Sequence, residues 1–152
     1  METNKIKKVL IAMDYDETSQ KVAEVGFSMA KAMSAETTLL HVIYEQPVYY
    51  SAYLYMRELQ VDILHDLKKS TQDFLNKTKK HLGDESIQTA LKEGEIAETI
   101  LNTAKELNVD IIVMGTHSRK WLENIIMGSE AEKVLKKTTI PLYIIPTKGQ
   151  IE

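Results

Sequence analysis

Five short apolar runs, separated by longer stretches of helical periodicity, constrain this chain more than any other feature. The runs are Lys8 to Met13 (KVLIAM), Thr37 to Ile43 (TTLLHVI), Ser86 to Leu91 (SIQTAL), Asp110 to Met114 (DIIVM) and Ile140 to Ile145 (IPLYII). Four are nearly continuous in Val, Ile and Leu, as expected of strands covered on both faces of a parallel sheet. The third alternates and is more polar, which predicts an edge strand. Between the runs, Glu17 to Ser34 places Val22, Val25, Met29, Ala32 and Met33 on one helical stripe. Glu58 to Leu82 does the same for Ile63, Leu67, Phe74, Thr78 and Leu82, and Glu95 to Leu107 for Ile96, Ile100, Ala104 and Leu107. Ser129 to Lys137 carries Ala131, Val134 and Leu135 and ends in two lysines, which suit a helix C-terminus. Strands alternating with helices require right-handed parallel crossovers, so the expected fold is one three-layer α/β sandwich. Pro141 and Pro146 bracket the last run, a pattern tolerated at a sheet edge.

A length of 152 residues suits a single domain over residues 1–152. The net charge of -3 argues against broad attraction to nucleic acid or an anionic membrane. Cysteine is absent, which excludes disulfides, thiolate chemistry and Cys-type zinc sites. The histidines share no ligand spacing, so no structural metal site is expected. His41 lies inside an apolar strand and reads as a satisfied core histidine; His65 and His81 read as helix-surface residues. The first apolar stretch, Val9 to Met13, is too short for a signal-peptide core or a membrane span, and the expected location is cytoplasmic. Tyr44 to Met56 (YEQPVYYSAYLYM) holds five of the seven tyrosines between the second strand and second helix. It reads either as an amphipathic loop packed on the helix below or as a lid or protein-partner surface.

Open parallel sheets bind ligands beyond the carboxyl ends of their strands, where connections diverge to opposite faces. The first strand ends at Met13-Asp14 and the fourth at Met114-Gly115. If these two are neighbours, the stretch MGTHSRKWLENIIMGS, Met114 to Ser129, hangs over the crevice. Gly115 lets backbone approach a ligand, or makes a tight turn. Gly128-Ser129 opens a helix whose N–H groups and dipole favour a phosphate, or is simply a capping pair. His117, Arg119 and Lys120 add donors, or are solvated. Asp14 is suited to accept from ribose hydroxyls, or to end a strand and cap a helix. Met13 and Met114 line the core or a base pocket, and Trp121 staples the loop or faces a partner. No residue reads as a general base beside a positioned water, and there is no Gly-x-x-x-x-Gly-Lys-Ser/Thr loop. No catalytic residue is therefore assigned, and slow ATP hydrolysis is the most that is expected.

These residues give the whole chain, from about Ile6 to Pro146, a resemblance to the universal stress protein family. The family's nucleotide loop runs Gly, two residues, Gly, nine residues, then Gly-Ser or Gly-Thr. Here Gly115 is followed by Thr116-His117, Ser118, the nine residues Arg119 to Met127, and Gly128-Ser129. VLIAMDYDETS is similar to the family's first strand, HVI to the end of its second, and DIIVMGTHSR and IPLYIIP to its fourth and fifth. The resemblance implies a five-stranded parallel sheet of order 3-2-1-4-5, Rossmann-like and of the adenine nucleotide alpha hydrolase type. It also implies a homodimer joined along the fifth strand, Ile140 to Ile145. The implied cofactor is ATP or AMP, with or without Mg²⁺, in a stress-response regulator. Its implied contacts are Ala12, Met13, Asp14, Val42, Met114, Gly115, His117, Ser118, Arg119, Gly128, Ser129 and Glu130. Asp14 would hold the ribose, Val42 and Met13 the adenine, and the glycine-marked loop the phosphates. One position departs from the pattern: the middle glycine is Ser118. If φ is positive there, serine costs about 1–2 kcal/mol. The alternative is a dimeric interaction protein with a vestigial site.

Overall fold

The continuous apolar runs become the strands of one sheet. The computed structural model describes residues 5–16, 18–44, 50–116 and 128–147, with backbone alone for 50–62. In chain order the elements are β1 (Lys8–Ala12), α1 (Ser19–Ala32), β2 (Glu36–Tyr44), α2 (Tyr50–Leu82), β3 (Gln88–Gly94), α3 (Ile96–Glu106), β4 (Ile111–Gly115), α4 (Ser129–Lys137) and β5 (Leu142–Ile145). The strands are parallel and lie in the order β3-β2-β1-β4-β5. β1 is central, with Val9 facing Thr37 on one side and Ile111 on the other. The polar third run and the proline-bracketed fifth are the two edges, as their compositions predict.

Strand alternation sends successive side chains to opposite faces. Val9, Ile11, Met13, Leu39, Val113 and Ile145 pack with Val22, Ala23 and Ala30 of α1 and Leu75 of α2. Leu10, Leu40, Val42, Ile112 and Met114 pack with Ala97, Ile100 and Ala104 of α3 and with Ala131 and Val134 of α4. Two apolar layers on one sheet make the three-layer sandwich. Each fully buried branched side chain contributes about 1.5–3 kcal/mol.

Two element starts and one helix face differ notably from the sequence expectation. Helix α2 starts at Tyr50, so the tyrosine-rich segment is helical from there and is not a loop through Met56. At 33 residues α2 spans about 50 Å, whereas the nine-residue β2 spans about 30 Å. The helix outruns the strand it crosses, and Ile63 and Leu67 are 55% and 44% exposed. Strand β3 starts at Gln88 rather than Ser86, because Asp84 Oδ1 accepts from Ser86 N (2.8 Å) and Ser86 Oγ (2.6 Å) and closes a turn first. In α1 the buried stripe is Val22, Ala23, Gly26 and Ala30, displaced from the expected one; Ala32 faces solvent. A Cβ on Gly26 would lie 2.9 Å from Ile11 Cδ1 and 3.1 Å from Val113 Cγ1. The missing side chain lets α1 lie directly on β1 and β4.

Candidate functional site

The sheet order makes β1 and β4 neighbours whose connections leave to opposite sides. Their carboxyl ends therefore flank the switch-point crevice. Beyond β1 the chain is held closely. Met13 N donates to Leu40 O (2.8 Å), and His41 Nδ1 lies 2.7 Å from Met13 O. Asp14 follows, half-buried. The turn into α1 is closed by Asp16, whose Oδ1 accepts from Thr18 N (2.9 Å) and Thr18 Oγ1 (2.6 Å). Ser19 Oγ donates to Asp16 O at 2.6 Å.

Beyond β4, Thr116 ties three elements together. Its N–H donates to Ile145 O (3.0 Å), and its Oγ1 accepts from Thr147 N (3.1 Å) and lies 3.0 Å from Thr147 Oγ1. Its carbonyl accepts from Gly128 N. That last bond sets the start of α4 against the exit of β4. Gly128 is the N-cap, extended at φ -68° and ψ 161°, and Ser129 is the first helical residue, exposed. Thr116 is a connector that the sequence reading passed over; its signal was a small hydroxyl directly after the strand-ending glycine.

Gly115 has a structural reason of its own. A Cβ there would lie 2.9 Å from Val22 Cγ2 and 3.0 Å from Thr147 Cγ2. The glycine lets α1 and the end of β5 close on β4. Val42 and Met114 lie on the face covered by α3 and α4, the side on which α4 begins. Met13 lies on the other: its backbone is at the crevice, and its side chain is buried with Val9, Ile11 and Val22. The pairing of Val42 with the Met13 side chain on one base does not follow from this arrangement. Ala12 is half-buried and packs with the Val42 face.

Glu130 lies in the first turn of α4, where a carboxylate interacts well with the helix dipole. Its Oε1 is 3.4 Å from Lys133 Nζ, which is also 3.9 Å from Glu95 Oε1. Glu95 caps α3, accepting from Ala97 N (3.3 Å) and Glu98 N (2.7 Å). A phosphate at this corner would meet the Glu130 charge, offset in part by Lys133. His117, Ser118 and Arg119, with Lys120 and Trp121, lie outside the described residues. Among the described residues, no group of three or more His, Cys, Asp or Glu is arranged to hold a metal ion, and no helix is long and apolar enough to cross a membrane.

A doubly wound parallel sheet, with a carboxylate just beyond its central strand and a glycine-capped helix following the neighbouring strand, defines a Rossmann-like α/β protein. The chain belongs to the universal stress protein family, whose model matches residues 5–146. It is 33% identical over 144 residues to Universal stress protein YxiE of Bacillus subtilis, covering 91% of this chain and 97% of that protein. It is 29% identical over 160 residues to Universal stress protein MJ0577 of Methanocaldococcus jannaschii, covering 94% and 96% of the two. The solved structure of MJ0577 superposes with a TM-score of 0.76 over 94% of this chain and 97% of that one. A universal stress protein solved in complex with cAMP, 15% identical, shares the fold at a TM-score of 0.65, covering 95% and 100% of the two chains.

Proposed function

We propose that this chain binds an adenine nucleotide, ATP or AMP, in the crevice between β1 and β4, and acts as a homodimeric cytoplasmic regulator of a stress response. The observation that carries the reading is the Gly128 N to Thr116 O bond. It supports a phosphate site because it holds the two glycine-marked ends of the loop, Gly115 and Gly128, at one corner. There the first N–H groups and dipole of α4 favour an anion. The half-buried Asp14 supports the ribose role, and Val42 with Met114, buried on the α4 side, supports an apolar wall for the base. Met13 takes part through its backbone. His117, Ser118 and Arg119 complete the phosphate side on the strength of the family's motif, and Mg²⁺ would travel with the phosphates.

Calorimetry with ATP, ADP and AMP tests the reading. The expected result is binding by the native protein that Asp14→Ala weakens by at least tenfold; no heat at millimolar ligand removes it. The half-exposed Ile63 and Leu67 on the overhanging part of α2 favour one rival, an interaction protein with a vestigial site. A pull-down that depends on Tyr49, Tyr50 or Tyr53 and is indifferent to Asp14→Ala would support that rival.

A further inference from the structure

We propose that His41 is a positioning residue for Asp14: from β2 it grips the Met13 carbonyl, the first beyond β1, and so fixes the direction in which the Asp14 carboxylate leaves the strand. Register pairing of β1 with β2 ends at Ala12 opposite Leu40. One residue further, Met13 N still donates to Leu40 O at 2.8 Å. Met13 O then lies 2.7 Å from the imidazole Nδ1 of His41. A carbonyl oxygen only accepts, so Nδ1 carries the hydrogen, and it does so whether the ring is neutral or protonated. Met13 O and Asp14 N belong to one planar peptide unit. Holding that oxygen therefore holds the amide from which Asp14 starts.

The other side of Asp14 is held as well. The Tyr15 ring packs on Phe74 of α2, with centroids 4.7 Å apart and planes at 40°. It meets the His41 ring edge-on at 6.3 Å and 69°. Asp16 then closes the turn into α1 through Thr18. Asp14 thus sits between two anchored neighbours, both in contact with His41. The adjacent residues of β2 divide the work by face: Val42 lies in the layer covered by α3 and α4, and His41 serves the exit of β1 from the other.

The inference rests on the nucleotide reading for its consequence, and the experiment separates the two. The probes are ATP and AMP, titrated into native protein, His41→Leu, His41→Asn, Asp14→Ala and the His41→Leu/Asp14→Ala double variant, each first checked for a cooperative thermal transition. Leucine removes the donor at similar volume. Asparagine places an amide N–H near the imidazole Nδ1 position and restores the bond. His41→Leu is expected to weaken binding about three- to tenfold, with His41→Asn close to native. In the Asp14→Ala background the leucine change is expected to have no further effect, because it acts through the missing carboxylate. Full additivity, or equal losses in the leucine and asparagine variants, overturns the proposal. NMR of the ligand-free protein supplies a second readout. The Asp14 amide resonance is expected to shift in His41→Leu and return in His41→Asn; a signal unmoved in both overturns the clamp. If native protein binds neither nucleotide, the nucleotide reading falls, and the Asp14 resonance alone decides whether His41 sets that residue.

Discussion

At the scale of single residues, Gly115 answers to packing before any ligand. Its missing Cβ leaves the space used by Val22 Cγ2 and Thr147 Cγ2, which would be 2.9 and 3.0 Å away. Gly115→Ala is expected to lower stability by about 1–3 kcal/mol through overpacking, seen as a lower urea midpoint without nucleotide present. Ser118, outside the described residues, stands where the family's motif has glycine. Ser118→Gly is expected to tighten nucleotide binding about five- to thirtyfold if that position has positive φ, as the affinity equivalent of 1–2 kcal/mol. Calorimetry on the variant checks it. A third residue reports on surface electrostatics. The hydrogen bond from His81 (Nε2 to Glu24 Oε1, 3.0 Å), with a lesser one from Gln20, holds the Glu24 carboxyl below the ordinary carboxylate range. Its folded value is depressed, so the stability it lends is present above the ordinary carboxylate pKa. That stability fades as pH falls through the lowered value. The group is almost fully solvated, so the effect is small. His81→Ala is expected to move the Glu24 midpoint upward in an NMR titration.

At the scale of elements, the starts of helices carry more information than their middles. Asp16 opens α1 by taking both Thr18 N and Thr18 Oγ1. Asp16→Ala is expected to cost about 1 kcal/mol and to raise hydrogen exchange in the first turn of α1. Periodicity locates each helix but misplaces one face and one start. In α1 the buried stripe consists largely of small residues, Ala23, Gly26 and Ala30, which carry little hydrophobic signal of their own. The spacing of larger Val and Met side chains pulled the expected stripe to one side. In α2 the tyrosine-rich first turns show no repeating apolar face, so periodicity alone places the helix start after Tyr50. The strands were easier. A buried parallel strand has to be apolar on both sides, and β1, β2 and β4 show that pattern directly.

At the scale of the whole molecule, the sheet has two edges with different chemistry. β3 is edged with polar residues, whereas β5 reads Leu-Tyr-Ile-Ile, with Tyr143 40% exposed. Leu135, on the helix before it, is 52% exposed. An outermost strand this apolar is a pairing template. The native chain is therefore expected to run as a dimer in light scattering at micromolar concentration, and Tyr143→Lys to shift it towards monomer with its fold retained by circular dichroism. What the sequence by itself determined is the succession of elements, the sheet order through the family's motifs, and the chemistry available at the crevice. Those rest on local periodicity and on spacing along the chain. Only the tertiary structure decided that Met13 and Val42 face opposite layers, that Gly115 is needed by Val22 and Thr147, and that His41 reaches the end of β1. Each of these depends on register and close packing between segments distant in sequence, where a shift of one residue exchanges the faces of a strand.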